Sequence, residues 1–163
     1  MSLKILLAVI LTTNSFKISE QIKQGDIWLQ VLKSNRVGRE FIFKTEDNSV
    51  TRLTYIGLIR SKKGVAYKIM NSIWLWGEAN HRATTRILVF DSRDKYLGNY
   101  YLTMSCDIPS FIKANKLVFT NKRSSTDCDY KTITYVDFDK GIPKEFFRKC
   151  AGESGDFYTF DKE

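Results

Sequence analysis

The chain has 163 residues, 43% hydrophobic and 27% charged, which favours one globular domain that needs no metal in order to fold. Its 26 basic and 18 acidic side chains give a net charge of +8, without any long basic run. This charge favours weak attraction to acidic surfaces. Because no recognition helix or RNA-binding motif accompanies it, a specific nucleic-acid-binding protein is not predicted.

Residues 1–15 have the three-part layout of a secretory signal peptide. Lys4 precedes the apolar run Ile5–Leu11, which is too short to span a bilayer, and small polar residues follow it. A cut before Phe16 would leave 25 basic and 18 acidic side chains, a net charge of +7. We therefore predict export to the periplasm or the extracellular space. The alternative is a buried first strand of a cytosolic protein.

Residues 16–163 predict a single, mainly β domain, because short apolar and aromatic runs recur about every ten residues with polar turns between them. The expected architecture is an antiparallel β-sandwich or a partly open barrel. Gly57 and Gly98 lie inside two of the strands and indicate bulges or a close approach by another backbone. The predicted strands, in chain order, are 26–32, 39–45, 49–60, 65–70, 86–90, 95–103, 116–121, 130–138 and 156–160.

Three segments interrupt this pattern of strands. Residues 71–82 are interpreted as a short helix or as a loop that covers one end of the sheet. Residues 109–115 predict one helical turn. Residues 143–150 predict a short C-terminal helix, because Pro143 stands at its first position and Gly152 follows its end.

The clearest hairpin lies in the middle of the chain. Its first strand, Arg86–Phe90, is an apolar run of branched and aromatic residues, which is typical of a strand buried on both faces. Residues 91–94 form a polar turn in which Asp side chains can bond to their own backbone. The chain then returns as a second strand that is rich in tyrosine.

The candidate binding residues are Trp74, Trp76, His81 and Tyr100. Trp74 and Trp76 are two residues apart, so in an extended segment their side chains point the same way. Beside the tyrosines of the hairpin, they could stack on a sugar, a base or the apolar patch of a partner. The alternative is that these aromatic side chains only pack across the open end of the sheet.

His81 is the only histidine of the chain, and with Glu78 it could form an acid–base pair or part of a metal site. One histidine cannot supply an HExxH motif, and no GxSxG nucleophile motif is present. The cysteines lack CxxC spacing, and the loop with Asp127 and Asp129 does not match an EF-hand. We therefore predict no catalytic residue, no metal and no cofactor, and we expect His81 to be dispensable for folding.

Three cysteines, Cys106, Cys128 and Cys150, predict one disulfide and one free thiol in an exported protein. If the strands around Cys106 and Cys128 form a meander, a strand about 17 Å long separates these two cysteines, whereas a disulfide needs Cα atoms within about 7 Å. The predicted C-terminal helix would then carry Cys150 back towards Cys128. We therefore predict a Cys128–Cys150 disulfide with Cys106 unpaired, or Cys106–Cys150 if that helix folds sideways.

Three functions remain open from the sequence. The first is a small, exported, non-enzymatic binding or interaction protein of unknown ligand or partner. The second is a carrier of a small apolar ligand in a barrel pocket. The third is a hydrolase that uses His81.

Overall fold

The structure, a computed structural model, describes residues 24–44, 48–77, 82–121 and 128–162. The predicted signal peptide and the cut before Phe16 lie outside these residues, as does His81. The described residues form one helix and ten strands. In chain order these are α1 (Gln24–Ser34), β1 (Glu40–Lys44), β2 (Val50–Arg60), β3 (Ala66–Trp76), β4 (Arg82–Asp91), β5 (Tyr96–Leu102), β6 (Phe111–Lys113), β7 (Lys116–Thr120), β8 (Ile133–Asp137), β9 (Glu145–Ala151) and β10 (Ser154–Lys162).

The strands form two antiparallel sheets, which confirms the predicted mainly β, sandwich-like fold. The large sheet has the order β1-β2-β3-β4-β5-β10-β9, and the small sheet has the order β6-β7-β8. Neither sheet closes into a barrel within the described residues. The order also shows that β5 does not neighbour β7, so the meander assumed for the cysteine argument is wrong.

Two apolar clusters hold three layers together. One lies between the sheets and includes Ile69, Val89 and Phe119. The other lies between α1 and the opposite face of the large sheet and includes Met70 and Leu88. Successive residues of β3 and β4 are therefore buried on opposite faces, which confirms that Arg86–Phe90, in the second half of β4, is strand with apolar neighbours on both sides.

The first predicted strand, 26–32, is wrong, because these residues belong to α1. Ile27 and Val31 are buried together, as alternate residues of a strand would be, but they are also one helical turn apart. Leu32 is buried as well, whereas Leu29, which a strand would bury, is 36% exposed. Helical spacing therefore explains this pattern and alternation does not.

The predicted C-terminal helix over 143–150 is also wrong, because the residues form strand β9. Phe146 and Arg148 are buried and alternate with less buried neighbours, as in a strand. Pro143 and Gly152, interpreted as helix boundaries, instead precede the strand and lie in its hairpin turn to β10. Proline and glycine delimit both kinds of element, so the boundary signals alone did not distinguish them.

Two further segments interpreted as helical are extended. Residues 111–113 form β6, and Ala114 and Asn115 turn the chain into β7 with φ values of 47° and 60°, which is typical of a tight hairpin turn. Residues 71–76 continue β3, and Arg82 begins β4. Both described ends of the segment 71–82 are therefore strand. The predicted irregularity at Gly57 is confirmed, because the register of β2 against β3 shifts there.

Candidate functional site

Alternation along β3 and β4 places a set of aromatic and basic side chains on the helix-bearing face of the large sheet. Met70 and Leu88 lie on this face beneath α1, so every second residue from them also does. The residues beyond the reach of α1 form what we call the open face: Trp74, Trp76, Arg82, Arg86 and Tyr101. Trp74 is 37% exposed and Tyr101 is 49% exposed, so this part of the sheet faces solvent.

The two tryptophans of the open face stack on each other, which confirms that they point the same way. Their ring centroids are 5.7 Å apart and their planes differ by 26°. The Arg82 guanidinium lies 5.4 Å from the centroid of the Trp76 ring, and Trp76 Nε1 donates a hydrogen bond to Thr84 Oγ1 at 3.4 Å. The stack is thus held in place by strand β4 and still presents aromatic and cationic surface to solvent.

A polar hollow of about 330 Å³ lies on the same face of the large sheet as this stack. It lies where β4, β5 and the end of β10 run side by side. Its size is within the range of sites that hold small ligands. The hollow is lined by Arg86, Tyr96, Asn99, Tyr101, Asp161 and Lys162.

Contacts among the lining residues hold the walls of the hollow. The Arg86 guanidinium lies 4.3 Å from the centroid of the Tyr101 ring, and its Nη2 donates a hydrogen bond to Tyr101 Oη. Asn99 Nδ2 donates to Tyr96 Oη at 2.9 Å. The Tyr96 ring in turn packs 5.0 Å, centroid to centroid, from Trp28 of α1. The helix therefore positions one wall of the hollow.

Two residues that line the hollow each have a buried polar atom without a hydrogen-bond partner among the described residues: Arg86 Nε, a donor, and Asn99 Oδ1, an acceptor. Asn99 is only 7% exposed, so bulk water does not compensate its oxygen. A buried polar group without a partner costs about 1–3 kcal/mol. A water or a small molecule that supplied an acceptor and a donor would satisfy both atoms.

Register fixes the spacing of these two residues. Arg86 is directly opposite Tyr101, and Leu88 is directly opposite Asn99, so Arg86 and Asn99 are diagonal neighbours on the same face. Diagonal neighbours in an antiparallel pair are about 7 Å apart. One small molecule can therefore contact both side chains.

Tyr100, which the sequence analysis placed in the binding surface, lies instead in the core between the sheets. It is fully buried, and its hydroxyl donates to the Pro143 carbonyl oxygen at 2.6 Å. Burial raises the pKa of this hydroxyl far above its ordinary value. Tyr101, the next residue, points to the other face of the sheet, the face that carries the tryptophans and where Tyr100 was expected.

Arg86 and Asn99 were not among the residues predicted from the sequence. The signal for Arg86 was its position at the polar end of an apolar run, where alternation places it on the same face as Arg82, the partner of Trp76. The signal for Asn99 was an amide inside a strand of aromatic residues, next to Gly98. A Cβ added to Gly98 would lie 2.3 Å from the Asp161 carbonyl oxygen, so the predicted close approach by another backbone is confirmed.

A second buried polar group lies near the opposite face and has a structural character. Arg148 Nη1 pairs with Asp107 Oδ1 at 2.9 Å, and Tyr158 Oη donates to Asp107 Oδ2 at 2.9 Å. The Met104 amide donates to the same carboxylate at 3.2 Å. Burial, the largest cause, raises the pKa of Tyr158 to about 12. Both carboxylate oxygens of Asp107 accept hydrogen bonds, so Asp107 ties the segment after β5 to β9 and β10.

Cys128 and Cys150 form a disulfide with a Cα–Cα distance of 4.5 Å, and Cys106 is a free, exposed cysteine. The pairing agrees with the prediction, although the helix used to predict it does not exist. Cys150 reaches Cys128 along strand β9, and the Asp129 amide donates to the Cys150 carbonyl oxygen at 2.9 Å. The disulfide therefore fastens the end of a loop to an edge strand of the large sheet.

Within the residues that the structure describes, no three acidic, histidine or cysteine side chains are grouped so that they could hold a metal ion. The same residues contain no helix that is long and apolar enough to cross a membrane. Comparisons of the chain with protein-family models, with curated proteins and with solved structures found no match. Only the geometry of the open face therefore points to a function.

Proposed function

We propose that the protein is an exported, non-enzymatic binding protein whose ligand occupies the hollow on the face of the sheet that carries the stacked tryptophans. The observation that carries this proposal is the pair of buried atoms without a partner, Arg86 Nε and Asn99 Oδ1. Each costs free energy in the unliganded protein, and a bound molecule would recover that cost. What distinguishes these two atoms is that both residues line one hollow, so a single bound molecule could satisfy both.

The lining of the hollow also supports binding rather than the two alternatives. Its six side chains include no serine, threonine, cysteine or histidine, so a Ser-His or Cys-His pair is not available among them. All six are polar, which suits a polar ligand better than the apolar cargo of a carrier. A hydrolase centred on His81 is tested by His81→Ala, which we expect to leave both folding and ligand binding unchanged.

The experiment is a thermal-shift screen of the purified protein against free amino acids, sugars, sugar acids, nucleosides and fatty acids. We expect at least one polar compound to raise the melting temperature, because a ligand that binds only the folded state stabilises it. Arg86→Gln should abolish the shift. Arg93→Gln, which removes the same charge from the exposed turn of the hairpin, should retain it. A shift that survives Arg86→Gln, or no shift with any compound, would contradict the proposal.

Export is supported by the disulfide, since disulfides persist in oxidising compartments and are rare in the cytosol. We expect the protein isolated from its native host to begin at or near Phe16. Intact-mass measurement checks this expectation. A soluble cytoplasmic protein that retains residues 1–15 would contradict it.

A further inference from the structure

We propose that the hollow takes a small molecule that carries a carboxylate and, a short distance away, a hydrogen-bond donor; this inference rests on the function proposed above. The carboxylate would bind Arg86, and the donor would bind Asn99. Two kinds of small molecule share this chemistry: a free amino acid, whose donor is the ammonium group, and a sugar acid, whose donor is a hydroxyl group.

Arg86 offers a hydrogen-bond donor to the hollow, so the ligand must supply an acceptor. Arg86 has already engaged its Nη2 with Tyr101, whereas its Nε is buried without a partner. An arginine that offers Nε together with a terminal nitrogen binds a carboxylate through two parallel hydrogen bonds. Such charge-assisted bonds are about twice as strong as neutral ones, so an anionic acceptor is favoured over a neutral carbonyl.

Asn99 offers a hydrogen-bond acceptor to the hollow, so the ligand must supply a donor. Asn99 Nδ2 donates to Tyr96 Oη, and Oδ1 is the amide atom without a partner among the described residues. Asp161 also lines the hollow and presents a second acceptor. A ligand that carried only a carboxylate would leave Asn99 Oδ1 unpaired and would meet the charge of Asp161. The ligand therefore needs an O–H or N–H group as well.

Charge and reach agree with this assignment. The lining residues carry two positive charges, Arg86 and Lys162, and one negative charge, Asp161. Arg86 and Asn99 are diagonal neighbours about 7 Å apart, so their ligand groups are separated by a few bonds. The volume of about 330 Å³ accommodates a molecule of the size of an amino acid or a monosaccharide.

Tyr101 packs against Arg86 and would have to move for a ligand to reach Arg86 Nε. Its ring lies over the Arg86 guanidinium, and neither Arg86 Nε nor Asn99 Oδ1 has accessible surface in this arrangement. Tyr101 is half-exposed, so its side chain can turn towards solvent without disturbing the core. Exposed side chains change rotamer within nanoseconds. Binding therefore exchanges the hydrogen bond between Arg86 and Tyr101 for bonds to the ligand carboxylate.

Isothermal titration calorimetry with two series of probes tests the inference. One series is the free amino acids and their carboxyl methyl esters. The other is glucuronate and galacturonate with the neutral sugars glucose and galactose. We expect an acid in one series to bind at least about tenfold more tightly than its neutral counterpart, as expected for loss of a hydrogen bond to a charged group. The series that responds identifies the donor as ammonium or hydroxyl.

The chain supplies a matched control for Asn99. Asn71 is another buried asparagine with an unpartnered Oδ1, but its Nδ2 bonds to the Pro109 carbonyl oxygen on the opposite face of the sheet. Asn99→Leu should weaken the binding of the acid about tenfold or more, whereas Asn71→Leu should leave the affinity unchanged in protein that remains folded. Arg86→Lys, which keeps the charge but lacks Nε, should also weaken binding.

Three results would overturn the inference. The first is that acids and their neutral counterparts bind with equal affinity. The second is that Asn99→Leu and Asn71→Leu have the same effect on the affinity for the acid. The third is a high-resolution crystal structure in which an ordered water stays bound to Arg86 Nε and Asn99 Oδ1 in the presence of every probe. If neutral or apolar compounds bind and depend on Arg86, the proposed binding function stands and the ligand class is wrong. If no compound of the wider screen binds, both proposals fail.

Discussion

Replacing Asp107 by asparagine should destabilise the protein strongly, because it removes the charge that the Arg148 guanidinium faces while keeping the shape of the side chain. The Arg148 and Asp107 side chains are only 4% and 6% exposed, so water cannot solvate the remaining guanidinium. Leaving one charge of a buried pair without its partner costs about 3–5 kcal/mol. The single oxygen of asparagine can still accept from Tyr158, but its amide group then faces Arg148.

Urea denaturation under non-reducing conditions measures this loss. The control is Asp139→Asn, which breaks an ion pair with Lys62 in which the two side chains are 34% and 78% exposed. Solvent screens that pair, so the control should change the free energy of unfolding far less. Equal losses in the two variants would refute the argument from burial. The double variant Asp107→Leu, Arg148→Met should lose less than Asp107→Asn alone, because it leaves no buried charge.

Three further predictions concern stability. Gly98→Ala should lower the free energy of unfolding by more than about 1–3 kcal/mol, since the added Cβ would meet the backbone of β10. Gly64→Ala, with open space around the Cβ, should lower it less, and urea denaturation compares the two variants. Because the pKa of Tyr158 is raised to about 12, its contribution to stability is full below about pH 10 and is lost as the pH rises through 12; Tyr158→Phe should weaken this pH dependence, and an unchanged profile would contradict it. Replacing Cys128 and Cys150 by serine should cost about 3 kcal/mol for a loop of 22 residues, measured by the same denaturation, and no change would contradict it.

The sequence predicted the centre of the large sheet well, because local pattern and tertiary environment agree there. The apolar run that begins at Arg86 is flanked by polar turn residues, and the Asp91 carboxylate accepts hydrogen bonds from the Arg93 and Lys95 amides as expected for such a turn. Gly57 and Gly98 indicated an irregular register and a close backbone approach. Each of these features depends on residues that are close in sequence.

The sequence failed where one pattern fits two structures. The spacing of Ile27 and Val31 suits a strand and a helix equally, and only packing against β2–β4 selects the helix. Phe146 and Phe147 lie in a strand because β10 pairs with it, which no local signal contains. The pairing of β10 with β5 also builds one wall of the hollow, so most of the candidate site could not be predicted before the topology was known.

The stacked tryptophans were predicted because their two-residue spacing needs only an extended backbone. Tyr100 was chosen in place of Tyr101 because the sequence gives the alternation of a strand without saying which face is covered by the second sheet. The bulge between β4 and β5 adds a further shift of register near Tyr96. A one-residue difference therefore exchanged a core side chain for one on the open face.

The most direct test of a ligand in the hollow is a ¹H–¹⁵N NMR titration that follows the side-chain signals of Arg86 and the two asparagines, Asn99 and Asn71. On addition of the acid that binds in calorimetry, we expect the Arg86 Nε–H and Asn99 amide signals to shift in a saturable manner, because both groups gain or rearrange a hydrogen bond. The Asn71 signal, on the opposite face, should stay in place. Saturable binding that shifts Asn71 or other distant residues, and leaves Arg86 and Asn99 unchanged, would contradict a ligand site in this hollow.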